Sequence, residues 1–274
     1  MNGASRQAMA AACDRLDALT DSTGADPAVL ADELASVTAL LDREVALRRV
    51  LTDPSQPGEA KAELTGRLLG SQVGGATVDL VSGMVRSRWS APRDLVDAVE
   101  RLADIADLTA AERAGTLDAV EDELFRFSRI VATSVELRSV LGSKEQGNTA
   151  REAKGRLVSE LLHRQAQDVT QRLVVRLVER PRGRSLEAGL TALSVLAADR
   201  RNRSVAVVTS AVPLSDRQRE RLGEALGKLY GRQIQLNLDV DPGVLGGISV
   251  RIGDELINGT IADRLDEVSR RMSG

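Results

Sequence analysis

From residue 5 to about 202, apolar residues recur every three or four positions; from 204 onward they alternate one by one. The first pattern belongs to helices with one buried face, the second to half-buried strands. The chain is therefore expected to be mainly α, with two helical-bundle regions followed by a small strand–helix–strand–hairpin–helix α+β domain. An initial helix is read over residues 5–20. Asp26-Pro27 opens the next, aspartate as N-cap and proline in the first turn. Its stripe is Leu30, Leu34, Val37, Leu41 and Val45, and it should stop before Asp53-Pro54. Helices over 58–69, 73–88 and 92 to about 106 follow, the last capped by Ser90.

The layout then recurs. Residues 32–51 set over 122–141 without a gap give eight identities in twenty positions. Matching apolar stripes is what any two amphipathic helices do, but Asp32/Asp122, Glu33/Glu123 and Arg48/Arg138 are polar identities and argue for copying. Gly66-Arg67-Leu68-Leu69 matches Gly155-Arg156-Leu157-Val158, and Leu95, Val99, Leu102 and Ile105 align with Leu186, Leu190, Leu193 and Leu196. The offset stays near ninety, so the chain reads as two copies of one helical domain. In the second copy Phe127 continues the Leu124, Val131, Val135 face and is expected in the core. Phe125, two positions away, belongs nearer a groove.

After a strand over 204–212, Ser215 with Gln218 has the form of a capping box. Its helix carries Leu222, Leu226 and Leu229. Ile234, Leu236, Leu238 and Val240 then alternate, Asp241-Pro242-Gly243 breaks the strand, and alternation resumes at Ile248, Val250 and Ile252. Gly253-Asp254 suits a hairpin, Glu255 to Ile257 returns, and Gly259-Thr260 opens a last helix bearing Ile261, Leu265, Val268 and Met272. Ile234, Leu236, Val240, Asp241, Val244, Gly246, Gly247, Ile248, Val250, Arg251 and Gly253 occupy, in register, the places of a known signature. It resembles that of the delta subunit of bacterial F-type ATP synthases, which is similar to the mitochondrial oligomycin-sensitivity-conferring protein. The family usually has Asp-Gly-Ser where this chain has Asn258-Gly259-Thr260. Each helical copy also resembles that family's N-terminal domain, of which the usual member has one and this chain two.

Composition narrows the chemistry. A net charge of −3 and a pI near 5.5 lack the basic surplus of a nucleic-acid binder. Trp89, Phe125, Phe127 and Tyr230 are the only aromatics, too few for base stacking. Cys13 and His163 are each alone of their kind and cannot supply a zinc set. Cys13 is expected as a small packing residue and His163 in solvent. No Gly-x4-Gly-Lys-Ser/Thr occurs, so no nucleotide hydrolysis is expected of this chain. Gly243-x-x-Gly246-Gly247 lies between two strands and reads as a turn, not a dinucleotide fingerprint. No apolar run approaches the ~20 residues that span a bilayer, and the N-terminus lacks the pattern of a signal peptide. Arg176, Arg180, Arg182 and Arg184 around Pro181 and Gly183 form the best basic patch, either a solvated loop or a dock for an acidic partner. Arg86, Arg88 and Arg93 stand at the equivalent place in the first copy.

What the resemblance implies is a non-catalytic stator component with no cofactor or metal. The helical domain would grip the N-terminal segment of an alpha subunit, and the C-terminal domain the b-subunit stalk, in a hetero-oligomer peripheral to the cytoplasmic face of the bacterial cell membrane. The expected domains are 1–105, 106–202 and 203–274. The signature positions are Asp241, Gly246, Gly247, Arg251, Gly253 and Gly259, and partner-binding candidates are Val268, Met272, Arg180 and Arg184. The alternatives are an enzyme with a helical lid, which lacks the usual reactive side chains, and a helical adaptor or regulator unrelated to ATP synthase.

Overall fold

The computed structural model describes residues 2–143, 147–203, 205–230, 234–241, 247–252 and 255–258. It divides into two compact units, residues 1–196 and 197–274. The expected final helix, and with it Gly246, Gly253, Gly259, Val268 and Met272, lies outside the described residues.

The first unit is helical: α1 (Gly3–Ser22), α2 (Pro27–Arg43), α3 (Val45–Thr52), α4 (Gly58–Leu69), α5 (Gly75–Arg86), α6 (Pro92–Arg113), α7 (Leu117–Thr133), α8 (Val135–Leu141), α9 (Asn148–Leu162), α10 (Asp168–Glu179) and the first part of α11 (Leu186–Arg203). As its sequence requires, α2 starts at Asp26, whose Oδ1 accepts from the Ala28 N–H at 2.9 Å. Leu30, Leu34, Val37 and Leu41 are buried. The helix expected to continue to Asp53 breaks at Glu44 (φ −94°, ψ 80°), so Val45 falls off the stripe and is 43% exposed while Leu51 takes the buried place. Ninety residues on, Ser134 (φ −93°, ψ 110°) separates α7 from α8 in the same way and Val135 leaves the core face. Phe127 is 4% exposed and Phe125 57%, as the stripe requires.

Glu33 and Glu123 show why a polar identity recurs. Glu33 Oε1 accepts from Gly74 N–H at 2.8 Å, and its Oε2 accepts from the Thr77 hydroxyl. Glu123 Oε2 accepts from Gln167 N–H at 2.9 Å and from the Thr170 hydroxyl. Gly74 and Gln167 are the N-caps of α5 and α10. In both places a carboxylate from the helix of the previous hairpin satisfies an orphan N–H and sits at the positive end of a helix dipole.

The recurrence reaches further than the sequence pattern alone suggests. Adding ninety to α1 gives residues 93–112, which are α6. The buried row Ser5, Ala8, Met9, Ala12, Leu16 and Leu19 corresponds to Leu95, Ala98, Val99, Leu102, Ala106 and Thr109, all buried. A second row of α6, Val96, Glu100, Ala103 and Asp107, is buried too. The helix packs on α1, α2 and α3 before it in the chain, and on α7 and α10 after it. It closes the first set of helices and opens the second. This is why it does not end near Ala106: Leu108 and Ala111 are still buried, and only Ala114-Gly115, with Gly115 at φ +70°, stops it. A boundary at 105/106 falls inside α6. Its N-terminus is also built differently from expectation. Ala91 is the N-cap, and the Ser90 N–H donates to Ser5 Oγ at 2.9 Å while that hydroxyl donates to Asp94 at 2.7 Å.

The second unit holds β1 (Val205–Ser210), α12 (Asp216–Tyr230), β2 (Gln235–Val240), β3 (Ile248–Ile252) and β4 (Glu255–Asn258). The sheet order is β2-β1-β3-β4. β1 and β2 are parallel and joined through α12, and β1–β3 and β3–β4 are antiparallel. Ala206, Val208, Leu226, Ile234, Val250 and Ile252 form its core. At the start of α12, Gln218 Oε1 accepts from both the N–H and the hydroxyl of Ser215, at 2.9 and 2.7 Å.

Candidate functional site

The signature residues within the described part serve the sheet. The Asp241 N–H donates to Ser210 O at 3.0 Å and holds the end of β2 on β1. Gly247 has φ +86°, a conformation that costs an L-residue with a side chain about 1–2 kcal/mol. Arg251 points to solvent between buried Val250 and Ile252, across from Val207 and Leu256. Among the described residues these positions serve the strands β2 and β3 and bring no reactive groups together.

The arginine cluster is where charge concentrates. Its acidic surface belongs to this same chain. Asp97, Glu100, Asp104 and Asp107 lie along α6 at spacings of three and four, one helical face. Arg182, whose side chain is 3% exposed, reaches Asp97 and, at 3.2 Å, Glu100. Arg184 meets Glu100 at 2.8 Å. Arg176 pairs with Asp104 at 2.8 Å and Asp107 at 2.7 Å, and Arg172 with Asp107 at 2.8 Å. Arg180 donates to the Ala35 carbonyl at 3.4 Å. Arg180 and Arg184, singled out for an acidic partner, are thus engaged within the helical unit. Among the first-copy arginines, Arg86 pairs with Glu59 at 2.9 Å, and Arg93 donates to the Arg182 carbonyl. Burial pushes the Asp104 carboxyl up to about 7; Arg176 opposes this and Glu100 and Asp107 add to it.

The duplication also places two grooves at equivalent positions. The first lies between α1 and α5, has a volume of about 270 Å³, and is lined by Ala8, Ala11, Ala12, Leu80, Gly83 and Met84 together with Arg15, Asp79 and Arg86, Arg15 pairing with Asp79 at 2.6 Å. The second lies where α10 meets α6, at about 320 Å³. It keeps an apolar floor, Leu173 and Leu177 standing where Leu80 and Met84 stand. Arg101 replaces Ala11 and Arg176 replaces Gly83, at the offsets of 90 and 93 that relate α1 to α6 and α5 to α10. Nothing in the apolar pattern separates the two copies by chemistry, although these replacements are legible once the offset is applied to α1 as well.

His163 is exposed, and Cys13 is half-buried against the helical core. Among the described residues no helix is long and apolar enough to cross a membrane.

Comparison with known proteins is consistent along the whole chain. The family model of the ATP synthase delta (OSCP) subunit matches residues 105–272, beginning inside α6. An ATP synthase subunit delta of Streptomyces griseus is 70% identical over 274 residues, covering 100% of both chains. One from Streptomyces avermitilis is 67% identical over 272 residues, 99% of this chain and 98% of that one. One from Thermobifida fusca is 47% identical over 274 residues, again 100% of both.

Proposed function

This chain belongs to the ATP synthase delta (OSCP) subunit family, a component of the peripheral stalk of F-type ATP synthases, and on that premise we propose how it divides its work. Its helical unit grips the N-terminal segment of an alpha subunit at the top of the catalytic head. Its sheet unit meets the distal end of the b-subunit stalk, in a complex that stands on the cytoplasmic side of the cell membrane. The chain itself contributes no catalytic side chain. The observation that carries this reading is full-length identity to delta subunits, including the helices that precede the family match.

The mechanics follow from torque. Rotation inside the head drags the head round unless a fixed link opposes it. Such a link needs broad, stable contacts with two partners and no reactive group. A helical unit with buried ion pairs and a groove for a helix supplies one contact of that kind. We place the other on the C-terminal segment that the sequence pattern reads as a helix, through Val268 and Met272, with Arg270 and Arg271 beside them in the sequence. The double variant Val268→Asp, Met272→Asp is expected to abolish b-subunit binding with an unchanged thermal melt and unchanged alpha binding. Unchanged b-subunit binding, or a collapsed melt, contradicts that assignment.

The reading as a whole is tested by rebuilding the complex in vesicles with and without this chain. Proton-driven ATP synthesis should require it, while hydrolysis by the isolated head should not. Synthesis at the full rate without the chain overturns the proposal.

A further inference from the structure

The acids of α6 do not share their arginines evenly. Asp107, fully buried, accepts from Arg172 at 2.8 Å through Oδ1 and from Arg176 at 2.7 Å through Oδ2. Glu100, also buried, is held the same way, by Arg184 at 2.8 Å on Oε1 and Arg182 at 3.2 Å on Oε2. Asp104 lies between them on the same helix face. It has only the Arg176 that it shares with Asp107, at 2.8 Å on Oδ1. Its Oδ2 has no partner among the described residues. A carboxylate that is buried, short of a cation and flanked by two like charges is the least stable ion of the row.

What closes over it is α10 and the segment 180–185 that follows. The cavity of about 320 Å³ beside Asp104 has Leu173 and Leu177 of α10 in one wall. In another stand Gly189, Ala192, Leu193 and Leu196, so α11 brings no charge to it. The cations that face the acids are thus Arg172 and Arg176 from α10 and Arg182 and Arg184 from the segment; Arg93, Asp97 and Arg101 complete the wall from α6. The segment takes a sharp course, with φ +52° at Arg182 and φ +82° at Gly183. The left-handed region is uncommon for a residue with a side chain, and such strain persists only where surrounding contacts over-determine it. Here those contacts are the pairs of Arg182 with Asp97 and Glu100 and, at 3.6 Å, with Asp42 of α2. The segment is a strap, held down by ion pairs against its own backbone preference.

We propose that α10 and the 180–185 strap form a proton-operated latch on α6, shut over the uncharged Asp104 carboxyl and released locally when that carboxyl ionises and draws in water. Ionised, Asp104 repels Glu100 and Asp107 and competes with Asp107 for Arg176. Hydration from the cavity relieves both, and it requires α10 and the strap to lift. Burial pushes the carboxyl up to about 7, Arg176 opposing and Glu100 and Asp107 adding, so the change falls in the neutral range. The lifted state has Asp104 in water at its ordinary 3.8, and the shut state keeps the proton to higher pH. Lifting therefore becomes easier as pH rises from about 4 to about 7 and levels off above. The latch lies within the helical unit whatever that unit binds, so it stands apart from the stator reading.

The test is amide hydrogen exchange of the full chain in half-unit steps from pH 5 to pH 9, each rate divided by the intrinsic rate of the unfolded peptide at the same pH. In residues 172–184 of the wild type, the normalised rate should rise at least about tenfold from pH 5 to pH 7, and no more than about threefold beyond. Helices α2 to α5 should not follow. Asp104→Asn keeps an acceptor for Arg176 and cannot ionise, and in it the rise should be absent. Glu100→Gln removes one like charge beside Asp104, so its rise should end at lower pH than in the wild type. A flat wild-type profile overturns the latch. An equal rise in Asp104→Asn assigns the effect to another group, and a rise shared by α2 to α5 assigns it to global unfolding; either overturns it as well. Should Asp104→Asn not fold, Glu100→Gln decides, and a rise ending at the same or higher pH contradicts the proposal.

Discussion

Phe125 and Phe127 stand two positions apart on α7 and meet opposite environments, because a helix turns about 200° over two residues. Phe127→Ala should lose about 3–5 kcal/mol, and Phe125→Ala close to nothing, in urea unfolding of the full chain. A loss under about 1 kcal/mol for Phe127→Ala would contradict its place in the core. Asp104 makes a different kind of prediction. Burial raises its pKa from 3.8 to about 7 in the folded chain, whereas the unfolded chain keeps the ordinary value. The folded state therefore holds a proton that the unfolded state has released, and the stability owed to this group is lost as pH rises from about 4 to about 7. Measured against Asp104→Asn, the wild-type stability should fall across that window and level off above it; a rise would contradict the assignment. Of these residues, the phenylalanines were legible because a period of 3.6 decides them locally. The titration of Asp104 was not, since its environment includes Arg176, 72 positions away.

At the scale of elements, most helix starts were written in the chain and several ends were not. Asp26-Pro27 and Ser215 with Gln218 mark starts by chemistry that acts within four residues. The breaks at Glu44 and Ser134 have no glycine or proline to announce them. They are visible only as a shift of the buried row, from Val45 to Leu51 in one copy and from Val135 to Leu141 in the other. The identity Glu33/Glu123 was legible as copying, but its work was not, because each glutamate caps a helix more than forty residues on. Removing either carboxylate, Glu33→Ala or Glu123→Ala, leaves a helix start without its acceptor. Each should cost about 1.5–3 kcal/mol, the range for hydrogen bonds to a charged group. The two losses should add, since the sites share no partner. A loss under about 0.5 kcal/mol in either variant would show that solvent does the same job.

Across the whole molecule, the first unit is a repeat array whose joint is one helix. α6 carries an apolar row for the helices before it and an acidic row for the arginines after it. Asp97, Glu100, Asp104 and Asp107 could be read from the sequence as a stripe awaiting Arg172, Arg176, Arg182 and Arg184. Sequence alone does not pair them, because a charged face is ordinarily solvated. The two strands that flank the C-terminal signature, β2 and β3, were legible for a related reason of scale: alternation of apolar and polar residues specifies each of them locally. What such patterns do not carry is the geometry of two proteins meeting, which depends on surfaces of both. The central claim is that this chain joins the catalytic head to the stalk, and sedimentation tests it most directly. The isolated head, the soluble part of the b-subunit stalk and this chain are mixed in every combination. A species containing both head and stalk should form only when the chain is present. Head and stalk sedimenting together without it, or remaining apart with it, would contradict the account.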